Sequence, residues 1–508
     1  MKKIYISLML MLGLGLLSSC DMDKKPYGSL DETSAVQNLK DLERFRNGVY
    51  TGLRGMNSGA WITYQDIQMD QFHGLVNNGN RVGTFSNGLF TSSDGDIESM
   101  FASCYSRIAT ANYLIEKAGD MAQSDTYTKE ESAAIERYKA EGHFLRAYCY
   151  FFLADHFSQP YAKVDASKEG TGAMLVTKYN PTGDVEAYPS RSSLEATYAL
   201  IESDLEAAYN GLKVYESTDP SNVVPNATYL SSYAVAAMQA RVALVKGNYE
   251  VAYAKATEVI NSKVYTLATI QDYPSMWVKD ESNEIIMRSF MSKQEGLAST
   301  GSAYTASTNE TTADYIPTFA TLKSCSRDGD VRFDTYFKLW NLDIEGSKYS
   351  AFVFLKYPGN PALRTTENNN YVNMPKLFRL SEQYLIAAEA GANIPGAEAN
   401  KYLNELRANR IENYQTVNYN NDIILNEIKA ERECELLGEG FRMSDLRRWG
   451  LGFERYGSHD ENTALDNVIV AAGREMKYLS TDYRFTWPIP KTEMDSNPNL
   501  EGQQNPGY

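Results

Sequence analysis

Apolar positions recur every three or four residues over roughly Ser34 to Met56, Asp96 to Ala118, Lys129 to Phe157 and Ser192 to Leu212, the spacing of helices with one buried face. Each stretch opens near a Ser, Thr or Asp able to cap a helix. From Ser232 to Ala256 small residues replace large ones at the same spacing: Ala240 and Ala243 precede a Gly247-Asn248-Tyr249 turn, and Ala252 follows it. A weaker copy runs from Leu380 to Arg410, with Ala387, Ala388 and Ala392, then Gly396, then Ala399, Leu403 and Leu406. Small residues let helices approach closely, so both stretches predict helical hairpins.

The hairpins resemble tetratricopeptide repeats, which bury their faces only against neighbours and must therefore stack. The expected fold is all-α, with tetratricopeptide-like hairpins carrying long irregular loops. Length alone would allow about three domains, but no Pro/Gly/Ser-rich linker divides the chain. Residues 20–508 are read as one domain.

Helical periodicity lapses over Ser58 to Gly95, Gln159 to Ser190, Tyr265 to Ala313 and Asp328 to Asn373. Connections this long are functional or disordered, and these are too aromatic for disorder. They carry Trp61, Trp277 and Trp340 with Tyr64, Phe85, Phe90 and Tyr304. Sugar rings stack an apolar face on indole or phenol, while their hydroxyls need amides, carboxylates or guanidinium forks. The segment from Tyr64 through Asp70 to Asn80 and Arg81 supplies both kinds of group. The expected ligand contacts are Trp61, Tyr64, Asp70, Asn80, Arg81, Trp277, Tyr304 and Trp340.

Charge narrows the partners. The formal net charge is -16, which argues against nucleic acid, since phosphate neutralisation needs a basic surface. At the N-terminus Met1-Lys2-Lys3 precedes an apolar run from Ile4 to Leu17, too short to span a bilayer. Leu17-Ser18-Ser19-Cys20 then looks like a bacterial lipobox. The expectation is a signal peptide over residues 1–19 and a lipid anchor on Cys20. Cys104, Cys149, Cys325 and Cys434 are too widely spaced for a Cys-x-x-Cys site and read as buried free thiols.

The search for catalytic chemistry is short. His73, His143, His156 and His459 lack His-Glu-x-x-His spacing, and no Gly-x-Ser-x-Gly elbow or phosphate loop occurs. Asp94-Gly95-Asp96 and Asp328-Gly329-Asp330 fit loop turns better than calcium loops. No metal or other cofactor is expected.

The most distinctive stretch runs from Glu431 to Trp449, ERECELLGEGFRMSDLRRW, two helices meeting at a charged Gly-Glu-Gly elbow. Glu431, Glu435, Glu439 and Asp445 stand among Arg432, Arg442, Arg447 and Arg448, so ion pairing that fixes helix geometry is the better reading than acid–base catalysis. This stretch resembles the signature of the SusD/RagB outer-membrane nutrient-binding lipoproteins of Bacteroidetes. Ala140 to Leu153 is similar to that family's aromatic central helix, and Phe485 to Tyr508 to its PIP…NPGY ending; the C-terminal signature covers about 375–508. Asn283 to Arg288 and Tyr179-Asn180-Pro181 point to the RagB-like branch.

The resemblance implies a surface-exposed outer-membrane lipoprotein, not an enzyme, that binds oligosaccharides and delivers them to a SusC-like TonB-dependent transporter. Within the family, Asp70 and Arg81 match ligand-contact positions, while Phe85 or Phe90 stands where starch binders present Trp. An oligopeptide ligand is the alternative, and a glycan hydrolase using Glu435, Glu439 or Asp445 the remote one. The elbow itself is expected to be scaffold and to touch no ligand.

Overall fold

The computed structural model describes residues 35–78, 82–295, 299–305, 309–456 and 463–508. The proposed signal peptide and anchor Cys20, together with Asn80, Arg81 and His459, lie outside the described residues. Among those described, no helix is long and apolar enough to cross a membrane.

The helices follow the apolar periodicity closely, except the second, which forms inside the stretch from Ser58 to Gly95 that lacks it. α1 (Leu39–Met56), α2 (Ala60–Gln68), α3 (Gly95–Met121), α4 (Lys129–Phe157) and α5 (Leu194–Glu216) lead into the hairpin α6 (Ser232–Lys246) and α7 (Tyr249–Asn261). Local chemistry sets the ends. Asp94 caps α3, Thr128 and Glu131 form a reciprocal capping box on α4, and Ser193 caps α5. Between α6 and α7, Gly247 takes a left-handed φ of 85° and Asn248 accepts a hydrogen bond from the Val251 N–H, which makes the turn.

Neighbouring helices pack in sequence from α3 to α7. α7 then packs against α10 (Leu380–Ala392), which pairs with α11 (Ala399–Ala408) and meets α12 (Asn421–Glu435). The two hairpins read from small-residue spacing therefore stack directly, although a long insertion separates them in sequence. Arg146, the one cation in the apolar run of α4, binds Asp204 of α5 through two hydrogen bonds of 2.7 Å.

The insertion holds more regular structure than its sequence promised. It contains α8 (Tyr273–Lys279) and α9 (Phe319–Cys325), and four two-stranded antiparallel sheets occur among the described residues of the whole chain, pairing β1 (Phe72–Gly74) with β3 (Tyr315–Pro317) and β2 (Ile285–Arg288) with β6 (Lys376–Arg379). β4 (Phe337–Ile344) and β5 (Ser347–Phe354) form a hairpin, and β7 (Phe453–Arg455) pairs with β8 (Met476–Tyr478). These strands hang on a helical scaffold, so the helix-rich reading holds. The C-terminal tail lies against the body as irregular chain interrupted by a short helix, Lys491–Ser496: Trp487 is fully buried and donates its indole N–H to Gln68 Oε1 at 2.9 Å, while Arg191 clamps Gln503 and Asn505.

Candidate ligand-binding cleft

The elbow between α12 and α13 (Arg442–Trp449) is where the helical stack, the insertion and the N-terminal helices converge. Gly438 and Gly440 turn it with φ of 75° and 80°. At Gly438 a Cβ would lie 2.5 Å from the Phe354 ring, so only glycine fits. Asp66 of α2 accepts the Gly440 N–H at 3.0 Å and pins the turn to the N-terminal part of the chain.

One side of the elbow is a buried ion network. The Glu435 carboxylate receives Arg332 at 3.1 Å, Arg379 at 2.9 Å and Arg410 at 3.0 Å. Glu431 receives Arg332 at 2.6 Å and Arg407 at 2.7 Å, and Glu439 receives Lys356 at 2.7 Å and Arg379 at 2.6 Å. Burial alone would raise these carboxyls, but the facing guanidinium groups outweigh it and hold Glu431, Glu435 and Glu439 below the usual carboxylate range. Asp445, paired with Arg432 and Arg448, is lowered by the same balance. A glycosidase needs one carboxylic acid that keeps its proton. The arginine and lysine partners favour the ionised form of Glu435, Glu439 and Asp445, which speaks against that role for these three.

Asp66 shifts the other way. It is fully buried without a cationic partner in contact, Oδ1 has no hydrogen-bond partner among the described residues, and burial pushes its pKa up to about 7.

The other side of the elbow lines a cleft with about 100 Å³ of space for water-sized spheres. One water needs ~10–15 Å³ in that measure, so the cleft takes several waters or one small cyclic group. Its walls come from α2 (Trp61, Gln65), α4 (Tyr148, Phe151), α6 (Arg241), α8 (Trp277), β6 (Lys376) and the elbow (Glu439 to Phe441, then Asp445 and Arg448). The expectation that the elbow stands apart from any ligand surface is therefore corrected. One face of it is scaffold, and the other borders the cleft.

Of the expected contacts, the fold brings Trp61 and Trp277 to this cleft. Trp61 is half-buried, packed on Phe152 at 4.7 Å with the Arg107 guanidinium 5.5 Å from its ring centre. Trp277 is 1% exposed. Lys356, Lys376 and Arg379 lie 4.6, 4.7 and 5.2 Å from its ring centre, so these cations crowd the ring that a stacking ligand would need. Its indole N–H is buried too and has no hydrogen-bond partner among the described residues; Nη1 of Arg432, whose residue also lines the cleft, is in the same state.

The other described candidates serve the interior. Tyr64 is buried, donating its hydroxyl to Asp96 at 3.1 Å and packing on Phe85 at 4.5 Å. Asp70 gives both oxygens to Arg442, at 2.8 and 2.6 Å. Tyr304 is fully buried between Phe72 and Phe354. Trp340 fills a separate cluster with Ile344, Val353 and Leu465. Phe85 and Phe90 are buried too, stacked on each other at 5.3 Å. An exposed aromatic platform built from these residues is not what the chain forms: their rings are the apolar filling that fixes the insertion to the scaffold.

Sequence reasoning missed Arg241, Glu382 and Phe441. Arg241 pairs with Glu382 at 2.6 Å and lies 5.0 Å from the Phe441 ring centre, all three on the cleft wall. The available signal was a charge inside each of two Ala-rich apolar helices, since buried charges need partners.

Comparison with known proteins agrees with this architecture. The model of the SusD family matches residues 342–508, and one described as starch-binding associating with outer membrane matches residues 22–244. SusD-like protein P38 from Formosa agariphila is 23% identical over 556 aligned positions, covering 100% of this chain and 99% of its own. A SusD superfamily protein from Bacteroides thetaiotaomicron is 27% identical, with a TM-score of 0.76 over 92% of this chain and 100% of that one. A laminarin-binding SusD-like protein shares the fold at 21% identity, with a TM-score of 0.66 over 93% of this chain and 100% of its own. By both halves of its sequence and by its helical scaffold, the chain belongs to the SusD family.

Proposed function

We propose that this protein is an outer-membrane lipoprotein, anchored through Cys20, that binds oligosaccharides without transforming them and passes them to a SusC-like TonB-dependent transporter. The observation that carries the binding reading is the cleft, where the half-buried rings of Trp61, Phe151 and Phe441 stand beside the half-buried guanidinium donors of Arg241 and Arg448. Sugar hydroxyls and ring oxygens accept from such donors, and the rings supply apolar contact. The laminarin-binding neighbour and the starch-binding description of one family model favour carbohydrate over peptide. The cleft's size fits a single sugar unit of a longer chain, with the remainder outside. Net charge points away from nucleic acid as a ligand.

Titration calorimetry against soluble β-glucan, α-glucan, mucin-type and plant glycans should give at least one saturable binder. Phe441→Ala and Trp61→Ala should each weaken it by roughly two- to tenfold, in line with the 0.5–1.5 kcal/mol of an aromatic contact. Binding to mixed peptides alone would replace the sugar with an oligopeptide, and unchanged affinity in both variants would remove the site from the cleft. For the anchor, Cys20→Ala should abolish fatty-acid labelling; persistent labelling would exclude Cys20.

A further inference from the structure

The cations that line the cleft are already matched. Arg241, Lys376, Arg379, Arg432 and Arg448 each reach a carboxylate, with Glu382 at 2.6 Å from Arg241 and Glu439 at 2.6 Å from Arg379. Arg54 of α1, next to the cleft residues Met56 and Asn57, likewise holds Glu295 at 2.8 Å.

Arg107 of α3 stands beside them without such a partner. It is half-buried, and its Nη1 donates to the Ser103 carbonyl at 3.0 Å. Nε is sealed from solvent with no hydrogen-bond partner, and Nη2, which is not sealed, makes no hydrogen bond among the described residues. No carboxylate among those residues pairs with it.

The fold holds this side chain in one place. A Cβ on Gly52 of α1 would lie 3.3 Å from its Cδ, and one on Gly55 would lie 3.1 Å from its Nη2. Glycine weakens a helix interior relative to alanine. Here two glycines, three residues apart and so on one face of α1, form a trough in which the arginine lies. The trough carries the guanidinium to Trp61, whose ring centre is 5.5 Å away. Gly55 is followed directly by Met56 and Asn57, which line the cleft with Trp61, so Arg107 stands at the lip of the cleft. A half-buried cation without a counter-charge is unfavourable, and attraction to the Trp61 ring offsets only part of that.

Building on the glycan-binding reading of the cleft, we propose that Arg107 forms a subsite for an anionic substituent, a carboxylate or a sulfate ester, on the sugar unit next to the one the cleft encloses. The protein then selects acidic glycans over neutral ones. A guanidinium presents a planar fork of N–H donors that matches the oxygens of either anion. Nη2 is the open donor, and the anion supplies the missing charge. Nearby carboxylates do not compete for it: Glu295 is held by Arg54, and Glu439 by Arg379 and Lys356. The chain as a whole carries -16 and repels polyanions, but that repulsion is screened beyond about 10 Å at 0.1 M salt, so the local cation decides at contact.

Calorimetry on the full chain compares acidic glycans with neutral counterparts of the same backbone: oligogalacturonides against their carboxyl-reduced forms, and carrageenan oligosaccharides against desulfated ones. Neutral α- and β-glucan oligosaccharides run alongside. The acidic member of at least one pair should bind roughly ten- to a hundredfold tighter, the range for a hydrogen bond to a charged group. Its affinity should fall as sodium chloride rises from about 50 to about 500 mM. Which pair shows the difference tells carboxylate from sulfate. Arg107→Gln should remove most of the difference and of the salt dependence, while Arg107→Lys, which keeps the charge and loses the fork, should keep part of both. Neither substitution breaks an ion pair among the described residues, and urea midpoints near the parent's check that both variants are folded. Acidic and neutral members binding alike, a preference that survives Arg107→Gln, or binding of neutral glucans with no acidic probe bound would each overturn the acidic subsite and leave the glycan-binding reading standing. Absence of saturable binding by every glycan in the set, acidic and neutral, is the separate result that removes the glycan reading itself and this subsite with it.

Discussion

Replacing Glu435 with Gln separates scaffold from catalysis at the elbow. The side chain keeps its shape and loses its charge, and one of its two acceptor oxygens becomes an NH₂ facing guanidinium N–H groups. Three arginines feel the change, but unequally. Arg332 retains Asp330 at 2.7 Å and Glu431 at 2.6 Å, and Arg379 retains Glu284 at 2.7 Å and Glu439 at 2.6 Å. Arg410 is left with Glu284, at 2.8 Å, as its one carboxylate partner among the described residues, beside the Ala268 and Asn409 carbonyls, and it is fully buried. The cost is therefore nearer to one uncompensated buried charge than to three, about 3–5 kcal/mol. That is roughly a hundredfold to several-thousandfold loss in the folding equilibrium.

Urea unfolding followed by circular dichroism should show the loss as a lower midpoint with an unchanged slope. Arg410→Met added to Glu435→Leu should cost less than the sum of the single changes, because removing both charges leaves neither one orphaned. A midpoint for Glu435→Gln within about 1 kcal/mol of the parent would refute the reasoning. A hydrolase, by contrast, would lose turnover in this variant and keep its stability.

Asp66 gives a pH dependence of opposite sign to the network carboxylates. Its folded pKa of about 7 lies above the unfolded carboxyl value, so its contribution is fully present below about pH 4 and is lost as pH rises through 7. The span is at most about 4 kcal/mol from a three-unit shift. Asp66→Asn should flatten the difference in urea stability between pH 5 and pH 8, and equal slopes in both proteins would exclude the assignment. Arg455 is a buried cation held by backbone carbonyls: it donates to Met69 O at 3.0 Å, Ile67 O at 2.9 Å and Gly473 O at 2.8 Å, capping the end of α2. Arg455→Met orphans at least two of these carbonyls at about 1–3 kcal/mol each, and Arg455→Lys should recover only part of that because an ammonium cannot span the set. A lysine variant as stable as the parent in urea would contradict the geometry. At the β4–β5 turn, Glu345 and Gly346 both have positive φ, 52° and 80°. Glu345→Asn should therefore stabilise the chain by several tenths of a kcal/mol, and a fall in stability would show that the turn is held by other contacts.

The helices were legible because their information is local. Capping residues, small-residue spacing and the Gly247 turn each act within a few residues, and α1, α3 to α7, α10 and α11 follow them, whereas α2, which has no side-chain cap, formed in a stretch read as irregular. The β4–β5 hairpin was legible in principle. Phe337 to Ile344 and Ser347 to Phe354 flank a two-residue turn, but Glu-Gly signals that turn less clearly than Asn-Gly, and Trp340 drew the segment towards a ligand reading. The site was harder for a different reason. An aromatic on an irregular segment looks the same in sequence whether it faces solvent or fills the gap between segment and body. Tyr304, Trp340 and Phe85 do the second. Only pairing across long separations, such as Phe72 with Pro317 in the β1–β3 ladder, decides which, and no local pattern encodes it.

The elbow shows why a family signature and a site can share residues without sharing roles. Gly438 is there because the Phe354 ring allows no Cβ, and Glu435 because three arginines from the insertion and from the segment after α11 need one carboxylate between them. These demands are the same whatever the ligand, so they preserve a recognisable string of residues. The cleft behind that string is bordered by Phe441 and Arg432 from the signature, but also by Trp61, Arg241 and Trp277 from three other parts of the chain. Of these outside positions Trp277 carries Lys356 and Arg379 of the ion network over its ring, whereas Trp61 is half-buried and packs on Phe152. Ligand choice should therefore follow positions such as Trp61, and exchanging that residue between relatives should move specificity while leaving the urea midpoint in place.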